Sequence, residues 1–236
     1  MKPREIFLNG CNEIANAFLE YGFKPLEKGQ RLRKIADDKD MFYEIYFQSS
    51  VEGNNSNYVK IEPELLILSK ELKVWEIEQT KNKYCKGIIC VEKIRTAEKP
   101  ILNKDWNLAG TDFDNKIEEI INCIKTYFIP IMEIYNNKIT AIEYLKNNGS
   151  KYFPWLKRDL FPMAFMIYFG GKEVAEIFLK DFIENCTYKD KIINLYNELS
   201  KIENKNDIDL KVNEFHQAGK IKLAFVNGIE IKLNDL

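Results

Sequence analysis

Four residues in the N-terminal half have the types that a metal-dependent nuclease uses. Glu71-Leu72-Lys73 is a Glu-x-Lys tripeptide, and Glu62 and Glu64 lie shortly before it. One common type of nuclease places an acidic residue and a Glu-x-Lys motif on neighbouring strands, where the carboxylates bind magnesium and the lysine stabilises charge. Because Glu and Lys are abundant here, the tripeptide is also expected by chance. A nuclease or hydrolase that uses Glu62, Glu64, Glu71 and Lys73 is therefore kept as an alternative function.

Clustered acidic and amide side chains favour a contact surface instead of a catalyst. Three aspartates lie in one predicted turn, where Asp commonly accepts hydrogen bonds from its own backbone. The same cluster of like charge would also steer a basic partner. A second polar segment, "VEGNNSN", follows the next predicted strand. The candidate partner-binding residues are Asp37, Asp38, Asp40, Glu52, Asn54, Asn55 and Asn57.

Histidine, cysteine and glycine form no recognisable catalytic or cofactor motif. His216 is the one histidine, and it lies in a polar segment that is typical of an exposed loop. Ser–His–Asp and Cys–His catalysis both need a histidine beside a nucleophile. Cys85 and Cys90 are not at a zinc-knuckle spacing. Gly170-Gly171 matches no phosphate-binding loop and suits a turn between helices. We therefore predict no catalytic residue set, no metal site and no cofactor.

The elements that must position these residues begin with a helix and a run of strands. Helical spacing relates the apolar residues Phe7, Cys11, Ile14, Phe18 and Tyr21. Strand patterns then cover residues 30–36, 41–48, 58–68, 73–79 and 86–94. The connections between these strands are short, which favours an antiparallel meander.

Helical patterns dominate the rest of the chain. An apolar stripe after Thr111 comprises Phe113, Ile117, Ile120, Ile124, Phe128, Ile131 and Tyr135. Pro130 interrupts it and predicts a kink or break around residues 126–130, because proline lacks a backbone donor and crowds the preceding turn. Residues 147–153 are predicted to form a linker, and residues 172–185 and 188–202 are predicted to form amphipathic helices. Asn227-Gly228 between two alternating segments predicts a β-hairpin.

Composition excludes several classes of protein. The 236 residues include 35 Lys and Arg and 36 Asp and Glu, and neither half is basic. The electrostatic signature of a nucleic-acid-binding protein is therefore missing. The N-terminus lacks the apolar core of a signal peptide, and no apolar run approaches the roughly 18 residues that span a bilayer. Five cysteines of irregular spacing fit reduced thiols. We therefore expect a cytoplasmic protein that contacts neither membrane nor nucleic acid.

Residues 1–147 resemble a known bacterial family. The features that carry the resemblance are the N-terminal helix "PREIFLNGCNEIANAFLEYGF", the strand "FYEIYFQSS", the segment "KDWNLAG" and the helix "FDNKIEEIINCIKTYFIPIMEI". The family is catalogued as a domain of unknown function, with the number forty-three-oh-four. It is tied to no catalytic residue set. The resemblance implies a small cytoplasmic protein from a toxin-immunity or defence locus, and the C-terminal helical part has no match in it.

Together these observations predict an α+β fold. An antiparallel sheet of about five strands should be covered by the N-terminal helix and by the long helix after Thr111, in a domain of residues 1–147. Residues 148–236 should form a smaller helical subdomain that ends in a β-hairpin. The predicted function is a non-enzymatic immunity protein that binds and neutralises a cognate toxin encoded by an adjacent gene. A scaffold module of a bacterial defence system is a further alternative, and the oligomeric state stays open.

Overall fold

The computed structural model describes residues 2–50, 58–97, 106–210 and 214–231, and it has an α+β fold. In chain order, the first half contains α1 (Pro3–Ala17), β1 (Lys24–Leu26), β2 (Arg31–Ile35), β3 (Met41–Ser50), β4 (Lys60–Ser69), α2 (Lys70–Thr80), β5 (Ile88–Lys93), α3 (Ile94–Ala97) and α4 (Phe113–Cys123). The second half contains α5 (Ile129–Ile134), α6 (Lys138–Asn148), α7 (Met163–Phe165), α8 (Lys172–Asn185), α9 (Lys189–Leu199) and α10 (Ala218–Val226). Within these ranges, no helix has the length and apolar character needed to cross a membrane.

Two compact units divide the chain. The first unit is Met1–Leu68 with Cys90–Asn137, and the second is Ser69–Ile89 with Lys138–Leu236. This division differs from the predicted boundary between residues 147 and 148, because residues 69–89 and 138–147 belong to the second unit. The reason is packing: α2 contacts α7, and α6 contacts α8.

The first unit is built on a five-stranded antiparallel sheet in the sequence order β1-β2-β3-β4-β5, as the strand patterns predicted for most of its members. Tyr43, Ile45 and Phe47 of β3 are buried on one face. That face lies against the end of α5, because the Tyr43 hydroxyl donates to the carbonyl oxygen of Tyr135, the residue that follows this helix, at 3.0 Å. Of the predicted apolar stripe, Phe7, Cys11 and Ile14 of α1 and Phe18 just after it are buried in the same unit, where α1 packs on α4. Tyr21 lies beyond the end of α1 and is half-buried.

The helix after Thr111 is perturbed near Pro130, although it does not break. Residues Ile124–Phe128 form a π-helical turn between α4 and α5, in which the Ile129 amide donates to the Ile124 carbonyl. A proline cannot donate to the carbonyl four residues earlier, and its ring crowds that carbonyl. A wider turn before Pro130 relieves this conflict without ending the helix. Phe128 and Ile131 on either side of it stay fully buried.

Two of the predicted strands are wrong, and the first of them is the strand predicted over residues 73–79. Residues 73–79 lie in α2, which begins where the Ser69 hydroxyl accepts a hydrogen bond from the Leu72 amide at 3.0 Å. This serine cap and a run of Lys, Glu and Leu favour a helix, and they outweigh the local alternation of apolar residues.

The predicted C-terminal hairpin is also wrong, because its first strand is α10. The Gly228 amide donates to the Phe225 carbonyl, and the Ile229 amide donates to the Ala224 carbonyl. These two bonds are a Schellman motif, which needs a residue of positive φ after the helix. Gly228 supplies it at φ +75°. Asn227-Gly228 therefore ends a helix here and does not turn a hairpin.

Candidate functional site

The four residues of the hydrolase alternative are held in ordinary ion pairs. On β4, Glu62 contacts Arg95 at 3.3 Å, and Glu64 contacts Lys93 at 3.8 Å. Glu64 also accepts a hydrogen bond from Gln48 at 2.7 Å. These glutamates alternate with buried residues and lie on the outer side of the sheet.

Glu71 and Lys73 lie on helix α2 of the second unit, where Glu71 contacts Lys138 at 3.2 Å. Residues two apart on a helix do not face each other. The strand-borne Glu-x-Lys geometry that the nuclease alternative requires is therefore missing. Across residues 2–50, 58–97, 106–210 and 214–231, no group of three or more His, Cys, Asp or Glu side chains is placed to hold a metal ion.

The three aspartates lie in the turn between β2 and β3, and one of them stabilises the backbone of that turn. Asp38 accepts hydrogen bonds from the backbone amides of Asp40 and Met41 at 3.1 and 2.9 Å. Asp40 is buried, and Asp37 accepts a hydrogen bond from the exposed Asn136 side chain at 2.8 Å. Only Asp37 thus presents an exposed carboxylate to a partner. The other proposed contacts, Glu52, Asn54, Asn55 and Asn57, lie outside the described residues.

A more extensive surface lies on the side of the sheet opposite Tyr43, and we call it the outer sheet face. Strand pairing sets Arg31 opposite Tyr46, Arg33 opposite Glu44, and Ile35 opposite Phe42. Because side chains alternate along a strand, these residues share one face with Gln48, Glu62 and Glu64. Its members are Arg31, Arg33, Ile35, Phe42, Glu44, Tyr46, Gln48, Glu62 and Glu64.

Paired charges hold the outer sheet face in place. Glu44 accepts hydrogen bonds from Nε and Nη2 of Arg33 at 2.8 and 2.5 Å and contacts Arg31 at 3.5 Å. The Arg33 guanidinium also lies over the Phe42 ring, 5.0 Å from its centroid. Apolar surface stays exposed between these pairs, because Tyr46 is 37% and Ile35 is 56% exposed. The face is therefore ordered, aromatic and partly apolar, which are properties of protein interfaces.

The second unit contains a separate cavity of about 350 Å³. It lies between α2 with its following turn and the start of α10, and we call it the α2–α10 cavity. Its lining includes apolar side chains, two chemically reactive side chains and one ion pair. The lining residues are Glu76, Thr80, Asn82, Cys85, Phe161, Leu210, His216, Gln217, Gly219, Lys220 and Leu223.

The ion pair in this cavity joins Glu76 of α2 to Lys220 of α10. The Lys220 ammonium donates to one Glu76 oxygen at 2.9 Å, and the Gly87 amide donates to the other at 3.2 Å. The Glu76 side chain is only 8% exposed, whereas that of Lys220 is 24% exposed. A buried carboxylate needs such partners, because desolvation penalises its charge.

Asp159 lies close to this pair and titrates abnormally. Burial raises the pKa of the Asp159 carboxyl to about 7, although a hydrogen bond from the Phe161 amide and the nearby Lys220 charge both act to lower it. The Phe161 amide donates to this carboxylate at 2.8 Å. Burial raises the pKa of Tyr188, and the nearby Cys186 and Asp159 charges add to that rise. Asp159 therefore changes charge near neutral pH, next to the α2–α10 cavity.

Sequence reasoning missed the ion pair of this cavity, and it considered Cys85 and His216 without bringing them together. Glu76 and Lys220 are 144 positions apart, and neither lies in a motif. The strand predicted over residues 73–79 placed Glu76 in the wrong type of element and in the wrong unit. The Ser69 cap was the available signal for a helix at this position.

Comparisons with known proteins found no relative of this chain. The chain matches no protein-family model, no curated protein and no solved structure.

Proposed function

We propose that this protein is a non-enzymatic inhibitor that binds a bacterial toxin through the outer sheet face of its first unit. The observation that carries the proposal is the exposed apolar surface around Tyr46, held between arginine–glutamate pairs. Tyr and Arg are enriched among the few residues that contribute most of the binding energy at protein interfaces, and Phe is enriched at interface cores.

Preorganisation supports a binding role for this surface. Arg31 and Arg33 already contact Glu44, and Glu64 already contacts Gln48 and Lys93. A partner would therefore lose less free energy in ordering these side chains than it would with a mobile charged surface. The paired charges would then form the polar rim, while Tyr46 and Phe42 would occupy the desolvated centre.

The resemblance of residues 1–147 to a family from toxin-immunity and defence loci favours a toxin as the partner. A small protein from a toxin-immunity locus would meet the toxin encoded by the adjacent gene. The exposed Asp37 lies at the end of the β2–β3 hairpin and would add one acidic contact to the rim of the interface. Binding alone would suffice for this function, since an inhibitor can block an active site sterically.

Tyr46→Ala is expected to weaken binding of the adjacent gene's product by about 10- to 100-fold, because it removes the central aromatic contact. The affinity is measured by isothermal titration with the two purified proteins, and growth protection is measured in cells that express both. Tyr84→Ala is the matched control, since Tyr84 is a 76% exposed tyrosine of the second unit. This control should retain full affinity and protection.

The proposal fails if the adjacent gene's product does not bind, or if both tyrosine variants lose the same affinity. Binding without protection would favour the scaffold alternative over the inhibitor. Thermal unfolding of each variant shows whether a loss of binding reflects a loss of fold.

A further inference from the structure

We propose that the α2–α10 cavity binds a small carboxylic acid with an apolar body. This function is separate from toxin binding, because the cavity lies wholly in the second unit and the outer sheet face lies in the first.

The dimensions and lining of the cavity suit a ligand of this kind. Its volume of about 350 Å³ is at the lower end of the range for small-molecule sites, roughly 300–1,000 Å³. Phe161, Leu210 and Leu223 provide an apolar wall, while Lys220 and His216 provide the charged or polar contacts. A mostly apolar cavity with a few polar groups is the usual composition of a ligand site.

The exposure of the Glu76–Lys220 ion pair favours an anionic ligand over a cationic one. The Lys220 side chain is three times as exposed as that of Glu76, so the more accessible partner of the ion pair is the cation. An ammonium group has three donors, and the Glu76 bond uses one of them. Both Glu76 oxygens already accept a hydrogen bond, from Lys220 and from the Gly87 amide.

His216 adds a second group of the same kind. It is exposed at the cavity lining, and its ring makes no hydrogen bond to the part of the chain that the structure describes. A bound carboxylate can therefore accept from an imidazole N–H as well as from the Lys220 ammonium. The start of α10 lies beside both groups, and the positive end of its dipole acts with the same sign.

The remaining charge near Lys220 makes the affinity depend on pH. Asp159 and Glu76 are the carboxyl groups beside the ammonium group, and an anionic ligand is repelled by both. Protonation of Asp159 near neutral pH removes one of these negative charges. Binding of a carboxylate should therefore tighten as the pH falls from about 8 to about 6.

The test uses the full chain with three matched probes: 3-phenylpropionate, its amide, and 3-phenylpropylamine. Binding is measured by isothermal titration, and independently by the rate at which iodoacetamide labels Cys85, which lines the cavity. The carboxylate should bind with a dissociation constant of about 1 mM or tighter and slow the labelling of Cys85. The amide and the amine should each bind at least about tenfold more weakly.

Two variants and a control assign the recognition to the named residues. Lys220→Gln should weaken binding of 3-phenylpropionate by about tenfold or more. His216→Ala should weaken binding by a smaller factor and should leave the protein folded. Lys180→Gln is the control, because Lys180 is an exposed lysine of α8 that pairs with Glu184 and does not line the cavity. Equal binding of carboxylate and amide, tighter binding of the amine, or no protection of Cys85 by any probe would each overturn the proposal.

Discussion

Replacing Gly87 with alanine is expected to lower the free energy of unfolding by about 3–5 kcal/mol. Gly87 has φ +68°, a conformation that residues with a Cβ atom rarely adopt. An added Cβ would collide with the Ser69 carbonyl oxygen and would lie 2.7 Å from the Lys73 backbone nitrogen. Both neighbours are backbone atoms at the start of α2, so they cannot move aside without disturbing that helix.

Gly228→Ala separates backbone strain from collision. Gly228 has φ +75°, and an added Cβ would meet no atom within 4 Å. This control should lose only about 1 kcal/mol, which is the usual cost of a positive φ for alanine. Urea unfolding of the two variants and the parent protein measures both effects. Equal stability of Gly87→Ala and Gly228→Ala would contradict the packing described around Gly87.

Asp159→Asn is expected to change how stability depends on pH. Burial raises the pKa of Asp159 from 3.8 to about 7 in the folded protein. Between about pH 4 and pH 7, the folded state therefore binds more protons at this residue than the unfolded chain does. The contribution of Asp159 to stability is fully present below about pH 4 and is lost as the pH rises through 7.

Asparagine keeps an oxygen that can accept from the Phe161 amide, but it carries no charge at any pH. The variant should therefore match the parent protein near pH 4 and exceed its unfolding free energy by about 2–4 kcal/mol near pH 8. Urea unfolding at both pH values measures the difference. Asp190→Asn, at an exposed position of α9, is the control and should follow the parent. A variant less stable than the parent at pH 8 would show that ionised Asp159 stabilises the fold.

Periodicity was sufficient to predict most of the first unit. The helical spacing from Phe7 to Phe18 and the alternation around Tyr43 are both strong patterns with one buried face. Periodicity could not reveal the turn before β2, where Glu27 and Lys28 both have positive φ. Neither residue type favours that conformation, and the turn is stabilised instead by side-chain contacts such as the Glu27–Arg31 ion pair and the hydrogen bond from the Gln30 side chain to the Glu27 carbonyl.

Residues 69–89 and the C-terminus show why the second unit was harder to predict. Apolar alternation in a short segment fits a strand or a buried helix, and the choice at α2 was made by the Ser69 cap. Asn-Gly is favoured wherever positive φ is needed, so it suits a helix end as well as a hairpin. The pairing of Glu76 with Lys220 depends on both helices, and no local pattern contains it.

Hydroxyl-radical footprinting of the protein, alone and mixed with the product of the adjacent gene, tests the proposed toxin-binding role of the outer sheet face most directly. We expect oxidation of Tyr46 and Phe42 to fall several-fold on binding, because a partner on the outer sheet face would exclude water from them. Oxidation of Tyr84 in the second unit should stay unchanged. Protection of Tyr84 with unchanged oxidation of Tyr46 would contradict the account and would place the binding surface outside the outer sheet face.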